Sequence, residues 1–178
     1  MAALLALALG AAPLFFQLAP GVPQTVRYHV SYTFHDVTGV AHRLTGRARF
    51  LPSGELEAEL EAPVRAFSSG NAARDGDALG AVGADRFPTV TVRAVVPHDA
   101  QATGKATADL EVTLHGVPRR LEAPVEIDWQ SPERAHVTGH FTLQLSDFAL
   151  KRPVLFFIPI SNALPIDFDL TWSAVPPA

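Results

Sequence analysis

Seven histidines are the residues best able to do chemistry in this chain of 178, and metal binding is the chemistry their spacing first suggests. His136 and His140 are four apart, the separation of two ligands on one face of a helix. They flank Val137-Thr138-Gly139, however, and the run through Phe141-Thr142-Leu143-Gln144-Leu145 alternates apolar and polar residues as a strand does. On a strand the two side chains share a face but stand about 13 Å apart, too far for one ion to bridge. His29, His35, His42, His98 and His115 fall in separate segments with no carboxylate at ligand spacing. Serine chemistry fares no better. No G-x-S-x-G turn is present, and Ser68-Ser69-Gly70 and Ser161-Asn162 have the character of loops. Neither a P-loop nor a G-x-G-x-x-G sequence occurs to cradle a phosphate. The chain contains no cysteine, which excludes disulfides, thiolate metal sites and cysteine nucleophiles together.

Two acidic segments remain. Glu55, Glu57, Glu59 and Glu61 alternate with Leu56, Ala58, Leu60 and Ala62. Paired carboxylates serve glycoside hydrolysis, but glutamates at a period of two form one face of a strand. That face is expected in water, because four unpaired buried carboxylates would be prohibitive. The pair Arg74-Asp75 sits instead in a short helical segment. It reads either as a local ion pair fixing that helix or as a polar mouth that orients a ligand head group. Spacing leaves both open. No catalytic residue, metal or cofactor is expected from these patterns.

Alternation is what must position these residues. Val26-Arg27-Tyr28-His29-Val30-Ser31-Tyr32-Thr33-Phe34 gives one greasy and one wet face. Strands are expected at Thr25–Phe34, Ala41–Phe50, Glu55–Ala62, Thr89–Val96, Ala106–Leu114, Arg119–Trp129, His136–Ser146 and Ile166–Trp172. Eight strands in one short chain predict an all-β, antiparallel, lipocalin-like eight-stranded barrel. One short helix is expected in the loop after the third strand, where Ser68 to Gly80 is rich in Ala and capping residues. Tyr28, Tyr32, Phe34, Phe50, Phe141, Phe168 and Trp172 fall on the apolar faces, with Leu110 and Leu114. Small residues share those faces: Gly46, Ala48, Ala58, Ala94, Ala108 and Gly139. Large beside small either packs solid or leaves a channel. Phe148 to Pro165 departs from the pattern, with Phe156 and Phe157 in a run greasy on both faces and broken by proline. It is expected as a buried loop, a covered strand or a lid.

Composition limits the partners. A net charge of −4 and scattered basic residues offer nucleic acid nothing to bind. Met1 to Leu18 carries no charge and is mostly Ala, Leu and Phe, short for a membrane span and interrupted by Gly10 and Pro13. It reads as a secretory leader over residues 1–19, although no basic residue precedes the apolar run. A linker at 20–24, a barrel domain at 25–173 and a frayed tail at 174–178 follow. A periplasmic or secreted protein is the expectation.

Several segments together resemble the YceI-like family of exported polyisoprenoid-binding proteins, from about Thr25 to Trp172. Phe67-Ser68-Ser69-Gly70-Asn71-Ala72-Ala73-Arg74-Asp75 is similar to the family's S-x-x-T/S-G-N…R-D segment. Arg86-Phe87-Pro88-Thr89-Val90-Thr91-Val92 resembles its [YF]-P-x-[IV]-x-F strand, and Asp109 to Arg119 its G-x-L-T-[LI]-[HR]-G-V hairpin. The resemblance implies a lipocalin-like barrel that binds a long isoprenoid or other amphipathic lipid without catalysis. It also implies that Asn71, Arg74 and Asp75 lie near the pocket. With Phe67, Leu79 and Phe156, these join the aromatic and leucine side chains above as candidate ligand contacts. The segment after Asp75 and the first loop are shorter than the family's, which bears on ligand length and pocket depth. The expected cargo is a polyisoprenoid, a quinone or a fatty-acid derivative. Transient contact with a membrane surface and a homodimer are left open. The rival reading is a filled barrel acting as a structural or stress-related module, which meets a membrane protein through Leu155–Ile160.

Overall fold

A computed structural model describes residues 15–31, 36–100, 104–152, 154–155 and 158–175. Four strands open the chain: β1 (Phe15–Leu18), β2 (Thr25–Ser31), β3 (Asp36–Ala41) and β4 (Thr45–Phe50). β5 (Leu56–Pro63) and the two-residue β6 (Phe67–Ser68) lead to the one α-helix described, α1 (Ala72–Ala81). Long strands β7 (Thr89–Val96), β8 (Lys105–Leu114), β9 (Val117–Ser131) and β10 (Arg134–Gln144) follow. A small hairpin, β11 (Val154–Leu155) with β12 (Ile158–Pro159), precedes the last strand, β13 (Ala163–Ala174).

The ring runs β1-β4-β5-β7-β8-β9-β10-β13 and returns to β1, so eight antiparallel strands close on themselves. Closure removes the unpaired edges that an open sheet of this size would expose. Alternation drives it. In β8, Ala108, Leu110, Val112 and Leu114 are buried on one face while Asp109 and Lys105 face water. β2 continues the line of β1 along β13: Leu18 pairs with Trp172, and Thr25 with Asp169. β3 likewise continues into β4, pairing with β2 as β4 pairs with β1. The first two staves are thus each broken once, at residues 19–24 and 42–44. The His42 ring joins the breaks by donating through Nδ1 to the Gln24 carbonyl, at 3.3 Å.

Three differences from the sequence expectation have physical causes. Phe15–Leu18 forms a strand where the sequence pattern gave no strand before Thr25. Phe15-Phe16-Gln17-Leu18 is too short and too greasy to show a period of two beside an apolar run. The helix does not follow the third expected strand directly. After β5 a 3-10 turn (Val64–Ala66) and β6 intervene, and β6 pairs back onto β3 through Val40↔Ser68 and Ala41↔Phe67. Two residues are too few to carry a pattern. Finally, β9 starts at Val117, because His115 (φ 53°) and Gly116 (φ 72°) alone make the turn. Two left-handed residues match the right-handed twist of the flanking strands.

An apolar cavity inside the barrel

The barrel encloses a cavity of about 1010 Å³. Val90, Val92, Val137, Phe141 and Phe168 point inward, yet are only half-buried, because their inner ends border open space. Ala108 and Val112, which also border it, and Ala123 are at most 1% exposed.

Glycine shapes that wall. Tyr28 lies opposite Gly39 across β2 and β3, and Phe168 opposite Gly139 across β13 and β10. A Cβ on Gly39 would sit 2.1 Å from the Tyr28 ring, and one on Gly139 would sit 2.4 Å from that of Phe168. Each ring therefore folds flat over bare backbone, as aromatic side chains do across a strand glycine. Tyr28 also packs on Phe67, with centroids 5.8 Å apart. One end of the barrel, where β4 turns into β5 and β9 approaches β10, is floored by aromatic rings. Phe16 meets Phe50 at 5.8 Å and Trp129 at 5.9 Å, both edge to face.

The opposite end carries α1. Asn71 caps it, its Oδ1 accepting from the Arg74 backbone N–H at 3.1 Å. Arg74 donates to the Ser69 hydroxyl (2.9 Å) and carbonyl (3.0 Å). Asp75 accepts from the Ser68 hydroxyl and the Ser69 N–H, each at 2.9 Å, and from the Ser69 hydroxyl. The Ser69 hydroxyl holds the Asp75 carboxyl below its ordinary value against the opposing effect of burial, with help from the Ser69 N–H, Ser68 and Arg74. The pair is a clamp between the helix and β6. No residue of α1 is buried, although Ala78, Leu79 and Ala81 border the cavity. Charged residues on the cavity lining are Glu61, Arg74, Asp75, Asp77 and Lys151, all at or beside this end.

Of the residues singled out from sequence, Tyr28, Phe67, Arg74, Asp75, Leu79, Leu110, Leu114, Phe141 and Phe168 line the cavity. Phe50 lies in the aromatic floor and Asn71 at the helix start, neither on the lining. Tyr32, Phe34 and Phe156 lie outside the described residues. Sequence reasoning missed Phe16, Leu44, Leu60, Leu150 and Ile160, which also line it. The alternation of β5 did point to Leu60, whereas Phe16 was hidden in an apolar run.

The outer face answers the chemistry considered first. Among the described residues, no group of three or more His, Asp or Glu side chains gathers to hold a metal. His29 and His136 instead donate to Asp167 and Asp169, each at 2.8 Å. The glutamate row departs from expectation at one position: the Glu57 side chain is only 7% exposed, covered by Arg93 and Arg49. Those two guanidiniums, Arg93 foremost, hold its carboxyl below the ordinary 4.5. Its burial is tolerable because both partners reach it.

A closed antiparallel barrel with an apolar interior, a helical cap and an aromatic floor defines a lipocalin-like barrel. The chain belongs to the YceI-like family, whose domain matches residues 21–172. No curated protein matches it in sequence. Solved structures share the fold. BcnA of Burkholderia cenocepacia superposes with a TM-score of 0.71 at 16% identity, covering 83% of this chain and 95% of that one. A polyisoprenoid-binding domain from Saccharophagus degradans, implicated in plant cell wall breakdown, gives 0.71 at 20% identity, covering 91% and 99%. A YceI protein of Campylobacter jejuni gives 0.65 at 14%, covering 82% and 90%.

Proposed function

We propose that this barrel binds and carries one long-chain isoprenoid, quinone or other amphipathic lipid as cargo, without catalysis, in the periplasm or outside the cell. The cavity carries the reading. Its volume of about 1010 Å³ stands at the top of the range for small-molecule sites, about 300–1,000 Å³. Its walls are apolar, and the charged lining residues gather at the α1 end. Such a shape suits a molecule with a long tail and one polar end. Each buried CH₂ contributes about 0.8 kcal/mol, so an apolar tunnel holds a long chain without directed bonds. The polyisoprenoid-binding domain that shares this fold supports the same reading. A filled structural barrel would not leave this space.

Native mass spectrometry of the protein from its own host, followed by solvent extraction, tests the proposal. A stoichiometric isoprenoid, quinone or fatty-acyl mass is the expected result. A clean apo mass, with no uptake of added isoprenoid or quinone, would overturn it. Ala94 lines the cavity between Ala58 and Leu110. Ala94→Phe should therefore fill space and cut lipid uptake, with less than the ~1–3 kcal/mol lost on overpacking a solid core.

A further inference from the structure

The chain has two tryptophans, and both border the cavity at the end away from α1. Trp129 on β9 and Trp172 on β13 stand in register on either side of Ala135. Ala135 is 3% exposed and Trp172 7%, so rings close this end against water. Phe16 and Phe50 pack on Trp129 and complete the closure. Across the wall, Ala48, Ala58 and Ala94 lie side by side on β4, β5 and β7, level with Phe16. All three border the cavity, so the space beside the rings is flanked by side chains too small to fill it. Hydrogen bonding does not account for Trp129. Its indole N–H is buried and has no partner among the described residues, whereas a buried tryptophan ordinarily finds one. What this residue supplies is bulk at a fixed depth.

We propose that this floor measures the cargo: it stops the far end of the lipid tail and sets the longest chain the barrel accepts. This rests on the carrier reading, and it fixes which way the lipid lies. The charged lining residues gather at the α1 end, where a polar head keeps its contact with water. A tail leaving that head meets only apolar wall and ends against Trp129, Trp172 and Phe16. Until the tail reaches the rings, each added unit buries more apolar surface and tightens binding. Beyond that length, an added unit must push into close-packed rings or draw the head away from the mouth, and both cost affinity.

Binding of a ladder of polyprenols and polyprenyl quinones, each one isoprene unit longer than the last, tests this in the parent, Trp129→Leu and Ala58→Leu. Parent affinity should climb with length and then drop. Trp129→Leu deepens the cavity, so the first chain the parent rejects should bind it at least about tenfold more tightly. Ala58→Leu fills space beside the rings and should bring the drop at least one unit earlier. A loss of stability alone would not move the length at which affinity drops. A drop at the same length in all three proteins, or no drop in the parent, overturns the ruler while the carrier reading stands. No uptake of any polyprenol or polyprenyl quinone by the parent overturns both. The unaltered protein gives an independent readout, because its only tryptophans lie at the floor. A bound fatty alcohol brominated at its tail end should quench their fluorescence more than one brominated beside its hydroxyl. Equal or reversed quenching would put the head at the rings and overturn the proposal.

Discussion

At the scale of single residues, stability rests on a few positions where a side chain replaces something the sheet lacks. Gln24 is one. Its amide serves two carbonyls and an N–H of neighbouring backbone, so Gln24→Leu should cost about 1–3 kcal/mol in chemical denaturation, the usual consequence of orphaned buried groups. Gly139 is another. A Cβ there would meet the Phe168 ring at 2.4 Å and the Pro124 carbonyl at 2.6 Å, and backbone cannot swing aside. Gly139→Ala should destabilise by about 1–3 kcal/mol and narrow the cavity. Glu57 sets the response to acid. Its folded value lies below 4.5, so its contribution is fully present above that pH and disappears as pH falls through the lower folded value. Asp75, held below its ordinary 3.8, acts in the same direction. Thermal melts across the acid range should show Glu57→Gln with a flatter dependence on pH than the parent.

Among the elements, α1 is held by polar clamps rather than by burial. Ten residues with none buried, and with Gly76 and Gly80 facing open space, make a helix that its neighbours barely pack against. Local opening is therefore expected at low free energy. Asp75→Asn weakens the acceptor that holds Ser68 and Ser69. It should speed hydrogen exchange at residues 72–81 and hasten lipid uptake, while the exchange of β8 and β9 amides stays unchanged. The sequence made the long strands legible because β8, β9 and β10 bury one face and wet the other, and it exposed the helix through Asn71 and its alanines. It did not reveal β1, β6 or the break at 42–44. Those depend on partners distant in the chain, and runs as short as Phe15–Leu18 or Phe67–Ser68 carry no period. The candidate site was legible to a similar degree. Inward aromatics such as Phe141 and Phe168 follow from alternation, whereas the role of Arg74 and Asp75 as a clamp depends on where Ser69 lies.

For the molecule as a whole, a hollow interior gives up contacts that a filled barrel would have. Inward residues such as Val92 and Val137 keep part of their surface uncovered, and dispersion across the void is missing. A lipid that fills the space should restore them. Saturation at a hundredfold excess over Kd corresponds to about 2.7 kcal/mol, readable as a rise in melting temperature on adding an isoprenoid or quinone. The closing seam has a mechanical consequence as well. The described chain starts and ends at the same point on the rim, where Val175 N–H donates to the Phe15 carbonyl at 2.9 Å. Because β1 and β13 run antiparallel, tension applied through the two ends acts along their cross-strand bonds and breaks them one at a time, like a zip. The same barrel can thus resist heat cooperatively and yet tear open under a small pull, releasing its first stave before the rest of the wall gives way.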